Sequence, residues 1–439
     1  RVKARELATV GLTNQRETFV VWERATGRPL YHAIVWQCRR SAAICDELRP
    51  HEAEISARTG LLVDPYFSGT KLKWLLDQDR TLRRRAARRE LCFGTIDSWL
   101  VFKLSRGAAF MTDFTNASRT MLMNLEQRTW DPAMVELLGV PDSLLPRLVA
   151  SRGPLAEAAR GMFGDGPVPI GAVIGDQQAA LYGQGCVRAG ETKVTYGTGA
   201  FLLTHTGERR VESRNRLLAT AALDARGAPA YALEGSVFIA GAALQWLRDE
   251  VGLIAKSADS LTLARQSRDR TQPYVVPAFV GLGAPYWDSA ARGAILGLTR
   301  GTTRADIVRA TLDSIAYQVH DVIAAMAKDL GRPIRTLRVD GGAAANDYLM
   351  QFQADLMGCS ITRPKMTETT ALGAGLLAGL ATGVWRSTGE VTALRKTDRV
   401  FKPAMKPRER ASLLAGWHDA VTRVTTPRAS LTSPASLPG

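Results

Sequence analysis

Apolar strands and helices alternate in both halves of the 439-residue chain, and this pattern constrains the fold more than any other feature. In the first half, the apolar run at 168–175 (VPIGAVIG) leads into DQQ at 176–178 and then into a helical pattern. In the second half, the strand at 336–339 ends in DGG at 340–342 and is followed by another helix. Alternating strands and helices pack as α/β layers. Since a domain holds about 100–200 residues, we expect two to three domains, with an α/β unit in each half.

Local periodicity predicts where the individual elements lie. Short apolar or alternating runs predict strands at 6–12, 19–23, 29–31, 33–36, 168–175, 193–204 (a hairpin), 231–234 and 336–339. Helical spacing predicts helices at 41–48, 68–77, 95–104, 237–249, 304–330, 344–357 and 368–381, the last of which is rich in small residues. The ATG sequence at 25–27 predicts a hairpin turn, and the glycines at 183–190 predict a domain boundary.

The net charge of +15 raises the question of a nucleic-acid partner. The densest basic stretch, 80–90, holds six arginines in eleven residues, and a helix of this sequence would point them around most of its circumference. The stretch contains no aromatic residue that would stack on bases. We therefore predict a solvated surface and no nucleic-acid partner.

Two further properties bear on the cellular setting. No apolar run approaches the roughly 20 residues needed to cross a bilayer, so we predict no association with a membrane. The five cysteines are odd in number, scattered and outside any Cys-x-x-Cys pattern, which argues against a disulfide framework or a zinc site. A reduced, cytoplasmic location is the expectation.

Charged residues follow the first predicted strand. Arg16 and Glu17 lie at its carboxyl end, which is where ligands bind in open α/β sheets. A guanidinium group offers several donors and a carboxylate accepts hydroxyl protons, so this pair suits a polyhydroxyl ligand. The alternative is a surface ion pair at the start of a loop, which contributes little. Asp176 also follows an apolar strand, but it opens a helix, where aspartate is a common N-cap.

Two glycine-rich turns indicate a phosphate or nucleotide site. The sequence YGTG at 196–199 supplies a tight turn with free N–H groups and one hydroxyl, which suits phosphate. The sequence DGGAAAN at 340–346 lets backbone approach a ligand at a helix start. Neither fragment is specific alone. An ordinary hairpin turn, for example, can have the same composition as the first fragment.

Taken together, these segments closely resemble the glycerol kinases, which are members of the FGGY family of carbohydrate kinases. The matching strings are GLTNQRET at 11–18, IVWQCRR at 34–40, DPYFSGT at 64–70, GDQQAA at 175–180, YGTGAF at 196–201, FIAGAALQW at 238–246 and DGGAAAN at 340–346. The resemblance extends from about residue 7 to about residue 421. The number and order of the strings make it highly specific.

The resemblance implies an α/β fold of two actin-like ATPase (ribonuclease H-like) domains with a cleft between them. It places a polyol-binding N-terminal domain at 1–184, a nucleotide-binding C-terminal domain at 185–424 and a disordered tail at 425–439. The family's N-terminal segment, which carries a first phosphate loop, is expected to be missing, so that the first domain would be incomplete. We therefore expect the chain as written to turn over slowly or not at all.

The resemblance also implies the reaction, in which ATP, accompanied by Mg²⁺, phosphorylates glycerol to give ADP and sn-glycerol 3-phosphate. Asp176 would be the general base that accepts the hydroxyl proton. The residues matching substrate contacts are Arg16, Glu17, Tyr66 and Gln177, which would hold hydroxyls, and Trp36 and Phe201, which would wall the site. The residues matching nucleotide contacts are Thr198, Gly241, Gln245, Gly342 and Asn346. No protein ligand is assigned to the metal.

Three other interpretations stay open on the sequence alone. The chain could phosphorylate another polyol or a pentulose, it could bind a polyol without turnover, or it could bind nucleic acid through its basic surface. Phosphorylation of a panel of polyols tests the first, glycerol binding without turnover would identify the second, and salt-dependent retention of DNA tests the third. The sequence also leaves open whether the protein forms a homo-oligomer.

Overall fold

The computed structural model describes residues 6–267 and 272–425 of the chain. The disordered tail predicted at 425–439 lies outside the described residues, except for its first residue. None of the helices in the two described ranges combines the length and the apolar surface that a bilayer-spanning segment requires. The five cysteines are free thiols, as their scattered spacing predicts.

The strands, numbered along the chain, are β1 Val10–Asn14, β2 Phe19–Glu23, β3 Leu91–Thr95, β4 Met111–Asp113, β5 Met123–Asn124, β6 Thr129–Trp130, β7 Arg147–Val149, β8 Arg152–Ala158, β9 Val168–Gly175, β10 Thr192–Tyr196, β11 Ala200–Gly207, β12 Leu218–Leu223, β13 Pro229–Val237, β14 Tyr274–Val276, β15 Ala294–Leu296, β16 Thr336–Asp340, β17 Ser360–Pro364 and β18 Thr397–Phe401.

The α-helices are α1 Ala42–Leu48, α2 Glu52–Thr59, α3 Ser68–Gln78, α4 Arg80–Ala87, α5 Ile96–Leu104, α6 Phe114–Ala117, α7 Pro132–Leu137, α8 Asp176–Gly183, α9 Gly241–Asp249, α10 Asp259–Gln266, α11 Arg304–Leu330, α12 Asp347–Met357, α13 Thr369–Ala381, α14 Thr388–Ala393 and α15 Pro407–Thr422. Short 3₁₀ turns lie at Arg49–His51, Asp142–Leu144 and Gly342–Ala345.

A three-stranded sheet with the order β1-β9-β8 organises part of the first half of the chain. β1 runs parallel to β9, and Asn14 at the end of β1 lies opposite Gly175 at the end of β9. Because the carboxyl ends of parallel strands meet at the same edge of a sheet, the residues that follow β1 lie beside the start of α8. This register brings Arg16 and Glu17 next to Asp176.

A seven-stranded sheet with the order β12-β13-β11-β10-β16-β17-β18 organises the second half. β10 and β11 form the predicted hairpin, in which Tyr196 pairs with Ala200. β10 also runs parallel to β16, with Thr195 opposite Asp340. The turn after β10 and the glycine-rich turn after β16 therefore leave the sheet at the same edge.

The long helix α11 forms the centre of the core in the second half. Thr303 and Asp306 form a capping box at its start, and Gly331, with a φ of 63°, ends it. Its buried face, which includes Ile315 and Val322, packs with residues of the seven-stranded sheet in one hydrophobic cluster. The helical spacing of apolar residues that predicts a helix at 304–330 thus marks the face that holds this helix against the sheet.

Helices α8 and α13 pack closely because glycines line their contact. A Cβ on Gly373 of α13 would clash with the carbonyl oxygen of Ala179 on α8. A Cβ on Gly11 of β1 would clash with the carbonyl oxygen of Ala374. The small-residue helix predicted near 368–381 therefore ties α8 to the three-stranded sheet.

The structure confirms the turn predicted at 25–27, since the N–H groups of Leu30 and Glu23 donate to the carbonyl oxygens of Val21 and Arg28 across it. The strand predicted at 29–31 does not form, and the ladder of β2 is with β3. Pro29 makes an isolated bridge with Trp22, and these two backbone hydrogen bonds flank it.

The strand predicted at 33–36 is also wrong, since Ile34 makes a single bridge with Phe19 and no strand forms around it. The strand predicted at 6–12 lies later in the chain, at Val10–Asn14. The shift matters because it places Arg16 and Glu17 two and three residues beyond the strand's last residue.

Candidate active site

Arg16 lies buried at the sheet edge after β1 and contacts carboxylates from both halves of the chain. Its Nη1 and Nη2 atoms donate to the two carboxylate oxygens of Glu234 on β13, over 2.6 and 2.8 Å. Its Nε atom lies 3.3 Å from Oδ1 of Asp176 and 4.0 Å from Oε1 of Glu17. Arg16 and Glu17 are each only 2% exposed, so the alternative of a surface ion pair is wrong.

Arg119 is a second buried guanidinium group in the same cluster. Its Nε atom donates to Oε1 of Glu17 over 2.7 Å, and its Nη2 atom donates to Oε1 of Glu234 over 3.1 Å. The guanidinium group also lies over the rings of Tyr66 and Phe67, at 5.6 and 5.3 Å from their centroids. Two arginines and two glutamates thus neutralise one another inside the protein.

The charges of this cluster set the ionisation of its two glutamates. Burial alone would raise the pKa of Glu234, but the charges of Arg119 and Arg16 outweigh it and lower this pKa to about 2. For Glu17 the balance is reversed, since burial raises its pKa and the two arginines offset only part of the rise. Glu234 is therefore the firmly ionised anion of the cluster.

Asp176 is the first residue of α8, and Gly175 rather than Asp176 is the N-cap. Its side chain is 27% exposed, whereas that of Arg16 is buried. Its Oδ1 atom accepts the backbone N–H of Gln177 over 2.6 Å. Burial raises the pKa of Asp176, and the charges of Arg16 and Lys193 offset part of the rise. A carboxylate that a ligand can reach, with its pKa moved toward neutral pH, suits a general base.

Three aromatic rings form one side of the site. The ring centroid of Trp36 lies 5.6 Å from that of Tyr66 and 6.0 Å from that of Phe201, and both pairs meet edge-on. Nζ of Lys71 donates to the carbonyl oxygens of Trp36 and Tyr66, over 3.4 and 2.9 Å, and so holds two of the rings in place. The structure therefore brings together all three aromatic residues that the sequence predicts as walls.

Gln177 is buried beside Asp176, and a lysine on β10 holds its amide. Nζ of Lys193 donates to Oε1 of Gln177 and, over 2.8 Å, to Oγ1 of Thr195. Burial lowers the pKa of Lys193 to about 8, although Asp340 and Asp176 counteract part of this effect. Lys193 thus links the carboxylate at the start of α8 electrostatically to the carboxylate at the end of β16.

Two buried donors of the cluster have no hydrogen-bond partner among the residues that the structure describes, namely Nε of Arg16 and Nη1 of Arg119. Unpaired buried donors are costly, so they mark positions that favour the oxygen atoms of a ligand. A ligand hydroxyl that accepts from Arg16 and donates to Asp176 or Glu17 fits this arrangement. The chemistry of these donors and carboxylates therefore suits hydroxyl groups.

The turn between β10 and β11 lies against the start of α9. The backbone N–H of Gly241 donates to the carbonyl oxygen of Gly197 over 2.9 Å, and those of Ala240 and Ala242 donate to that of Thr198 over 2.8 and 3.0 Å. A Cβ on Gly241 would lie 2.5 Å from the oxygen of Gly197, so only glycine fits there. Thr198 itself is exposed, which leaves its hydroxyl accessible to a ligand.

The glycine-rich turn after β16 lies beside this first turn. Gly341 has a φ of 85°, and a Cβ on it would lie 2.5 Å from the carbonyl oxygen of Tyr196. The next residue, Gly342, is exposed. A Cβ added to it would meet no other atom within 4 Å. Backbone at Gly342 is thus open to a ligand at the sheet edge that also carries Thr198.

The two remaining nucleotide candidates differ in their surroundings. Asn346 is the N-cap of α12, where its side chain accepts the N–H of Leu349 over 3.1 Å, and it also donates to Oγ of Ser260 over 3.2 Å. Gln245 is exposed on α9. Asn346 therefore has a structural role of its own, and Gln245 lies one helical turn after Gly241 on the same face of α9.

Four residues of the buried cluster around Arg16 and Asp176 are absent from the sequence-based predictions, namely Arg119, Gln178, Lys193 and Glu234. Gln178 accepts from Nη1 of Arg16 over 3.2 Å. Lys193 and Glu234 each interrupt an apolar strand, and a charge inside a strand that is buried needs a partner, so this signal could have identified both. Arg119 follows the short helix α6 in an irregular segment, where no sequence pattern marks it.

Comparison with known proteins identifies the family. Residues 1–183 match the profile described as the FGGY family of carbohydrate kinases, N-terminal domain. Residues 192–382 match the C-terminal domain of the same family. The two matches together cover most of the chain and follow one another in the family's order.

Curated relatives are similar along nearly the whole chain. It is 53% identical to the glycerol kinase of Fusobacterium nucleatum over 425 residues, which are 96% of this chain and 86% of that protein. It is 54% identical to glycerol kinase 2 of Pseudomonas aeruginosa over 420 residues, which are 95% of this chain and 83% of that protein.

Solved structures agree with the predicted fold class. Plasmodium falciparum glycerol kinase with ADP has a TM-score of 0.87 and 36% identity, over 95% of this chain and 83% of that one. The ligand-bound xylulose kinase of Lactobacillus acidophilus has a TM-score of 0.81 at 21% identity, over 95% of this chain and 84% of that one, and shows the same fold. The prediction of a two-domain, actin-like sugar-kinase fold is therefore confirmed.

Proposed function

Because the chain belongs to the FGGY family of carbohydrate kinases, we propose that it transfers the γ-phosphoryl group of ATP to a terminal hydroxyl of glycerol. The products are ADP and sn-glycerol 3-phosphate. Relatives that are 53% and 54% identical are named glycerol kinases, and this likeness supports glycerol over a longer polyol or a pentulose.

The observation that carries the proposal is the position of Asp176. Its partly exposed carboxylate lies 3.3 Å from the unpaired Nε of Arg16, in a cluster that also contains Glu17. A hydroxyl placed between Arg16 and Asp176 accepts one hydrogen bond and donates another, which orients its oxygen as the nucleophile. Asp176 takes the hydroxyl proton as the new O–P bond forms, and Arg16 holds the carboxylate in place.

The other residues of the cluster bind the rest of the polyol. Arg16, Glu17, Tyr66 and Gln177 hold its hydroxyl groups, and the rings of Trp36 and Phe201 enclose its carbon atoms. A ligand gains at most about 1.5 kcal/mol per heavy atom, so the six heavy atoms of glycerol can supply roughly 9 kcal/mol at best. Each hydroxyl therefore needs a partner, which explains why so many polar groups converge.

The nucleotide occupies the edge of the seven-stranded sheet in this proposal. The nucleotide contacts Thr198, Gly241, Gln245, Gly342 and Asn346. Its phosphates lie next to Thr198 and the exposed backbone of Gly342. Backbone N–H groups at such turns favour anions. The hairpin that carries Thr198 continues into Phe201, so the nucleotide site and the polyol site lie on one rigid element.

We propose Mg²⁺ as the companion of ATP. Such an ion keeps several of its waters and needs few protein ligands, so no side chain of this chain is assigned to it. When bound, the ion neutralises negative charge on the phosphate oxygens. Residues 6–267 and 272–425 contain no group of three or more His, Cys, Asp or Glu side chains arranged as a metal site.

We also propose that the domains are 1–184 and 185–424 and that they close over the two substrates to exclude water. The ion pair between Arg16 and Glu234 would join them in the closed form. The five free thiols support a reduced, cytoplasmic location.

A polyol panel tests the proposal. The purified chain is incubated with ATP and Mg²⁺, ADP release is followed with a coupled assay, and the phosphorylated product is identified by ³¹P NMR. Turnover is expected to be slow, and glycerol is expected to give the highest kcat/KM among glycerol, erythritol, xylitol and xylulose. A higher value for xylulose would identify a pentulose kinase, and glycerol binding without ADP release would identify a polyol-binding protein. Either result would overturn the proposal.

A further inference from the structure

A cavity of about 650 Å³ lies where the chain crosses from its first half to its second, beyond the end of α8. The crossover segment contributes Gln184 and Arg188 to its lining. Arg338 on β16 and the pair Arg395 and Lys396, which precede β18, complete the side that faces the crossover. None of these residues belongs to the polyol or nucleotide sites described above.

The lining of this crossover cavity carries an excess of positive charge. Arg188, Arg338, Arg395 and Lys396 face a single carboxylate, that of Glu191. That carboxylate is already engaged, because Oε1 accepts from Nη2 of Arg338 over 3.2 Å and Oε2 accepts two backbone N–H groups of the crossover over 2.8 and 3.0 Å. The remaining cations have no carboxylate in the lining to neutralise them.

Two of the four cations, Arg338 and Arg395, lie side by side. A Cβ added to Gly185 would lie 2.8 Å from Nη1 of Arg395 and 2.9 Å from Nη1 of Arg338. Both guanidinium groups therefore contact the same glycine. Burial, with the neighbouring charge of Arg338, lowers the pKa of Arg395 below its usual range. The carboxylate of Glu191 balances only one of these two charges, and like charges this close repel each other unless an anion neutralises them. Paired guanidinium groups are also the preferred partners of phosphate.

An apolar extension adjoins the charged part. A smaller cavity of about 160 Å³ shares Arg395 and Lys396 with the crossover cavity and continues to Met366, Leu372 and Leu394. A ligand that fills both parts therefore needs an anionic end and a compact, weakly polar body.

We propose that the crossover cavity binds a small phosphate monoester. Its phosphate group lies among Arg188, Arg338, Arg395 and Lys396, and its carbon skeleton points toward Leu372 and Leu394. A phosphate dianion brings three acceptor oxygens, which match the donors of several cations at once.

The same arginines hold the end of the helix that starts at Asp176. Nε of Arg395 donates to the carbonyl oxygen of Gly183 over 3.0 Å, and Nη1 of Arg338 donates to that of Gln184 over 2.6 Å. A bound phosphate competes with these carbonyls for the guanidinium groups and so loosens the last turn of α8. The helix has eight residues, which is about 12 Å at 1.5 Å per residue. Binding is therefore expected to lower kcat, and this part of the inference rests on the proposed function.

Calorimetric titration of the full chain tests the site itself. Inorganic phosphate and phenyl phosphate are titrated separately at constant ionic strength, with ADP and glycerol present to occupy the active site. We expect both to bind saturably at one site, and phenyl phosphate to bind more tightly because its ring enters the apolar extension. Absence of saturation by both probes up to about 10 mM would overturn the site. Equal affinity for the two probes would overturn the assignment to an ester and leave free phosphate as the ligand.

Matched variants locate the binding. Arg188 and Lys396 are exposed, so the double variant R188M/K396M should fold, and thermal unfolding verifies this. We expect phenyl phosphate to bind it roughly tenfold more weakly or worse. The control R80M/K256M removes the same charges at exposed positions outside the cavity and should change the Kd by less than about twofold. A Kd in R188M/K396M equal to that of the control would overturn the site.

A kinetic measurement tests the regulatory part separately. At saturating ATP and glycerol, phenyl phosphate should lower kcat in the wild type and in R80M/K256M, but not in R188M/K396M. Saturable binding with an unchanged kcat would overturn regulation through α8. If the wild type phosphorylates no glycerol, the proposed function fails, while the titrations still decide whether the crossover cavity binds a phosphate ester.

Discussion

Arg16 and Glu234 form a buried bidentate ion pair, with N–O distances of 2.6 and 2.8 Å, that joins the edge of the three-stranded sheet to strand β13 of the seven-stranded sheet. Because Arg16 also lies beside Asp176, the pair fixes the guanidinium group that faces the proposed base. The sheet that carries the proposed polyol residues is thus joined to the sheet that carries the proposed nucleotide residues.

Replacing Glu234 with glutamine should lower the free energy of unfolding by about 3–5 kcal/mol, because Arg16 and Arg119 would remain buried without their counter-charge. Denaturant titration at neutral pH measures the change. Glu157→Gln, at an exposed position, is the matched control and should shift the free energy by less than about 0.5 kcal/mol. A Glu234→Gln variant as stable as this control would refute the structural role of the pair.

The stability difference between the wild type and Glu234→Gln should also depend on pH. The pKa of Glu234 is lowered from 4.5 to about 2, so its contribution to stability is present above the unfolded pKa of 4.5 and is lost as the pH falls toward 2. The difference in unfolding free energy between the wild type and Glu234→Gln should therefore be constant from about pH 6 to 8 and shrink below about pH 5. A difference that grows on acidification would have the wrong sign for this account.

Much of the fold could be predicted because its signals are local. The apolar run at 168–175 and the apolar stripe at 304–330 coincide with β9 and α11 as the structure has them. Other boundaries differ from the prediction because pairing between strands extends an element. The helix predicted from 237 begins at Gly241, since β13 continues to Val237. Pairing of β2 with β3 joins distant segments, and no local pattern reveals such a partner.

The candidate site was predictable to the extent that its residues follow strands. The parallel register of β1 and β9 explains why Arg16 and Asp176 meet. Arg16 and Glu234 are 218 residues apart in the chain. The sequence around either residue therefore does not reveal that they are in contact. Arg119 was missed for the same reason, since its role depends on the position of Glu17 and Glu234 in space.

Replacing Lys193 with methionine should change the pH profile of the reaction. The charge of Lys193 lowers the pKa of Asp176, so its removal raises that pKa. Because Asp176 acts as a base only when ionised, the acidic limb of kcat/KM should move to higher pH.

The control for this change is Lys73→Met, which removes a lysine that pairs with Asp77 over 3.0 Å at the surface. Its profile should match that of the wild type. If the acidic limb of Lys193→Met stays in place or moves to lower pH, Lys193 does not tune the base.

Shortening Phe201 to alanine should widen the polyol site. The ring of Phe201 lies 6.0 Å from that of Trp36, so its loss opens the wall and removes contacts with the carbon atoms of glycerol. We expect kcat/KM for glycerol to fall roughly tenfold and the ratio of erythritol to glycerol turnover to rise. Phe163→Ala, in the loop before β9, serves as the control, and an unchanged polyol preference in Phe201→Ala would exclude Phe201 as a wall.

The most direct test of the account is the turnover of Asp176→Asn, because the amide keeps the shape of the carboxylate but cannot take a proton. Glycerol binding is measured by titration and phosphoryl transfer by single-turnover kinetics, with the exposed Asp165→Asn as control. We predict that kcat falls by about 10²- to 10⁴-fold in Asp176→Asn, while its Kd for glycerol stays within about threefold of the wild-type value. A kcat near that of the wild type, with glycerol still bound, would contradict the assignment of Asp176 as the base.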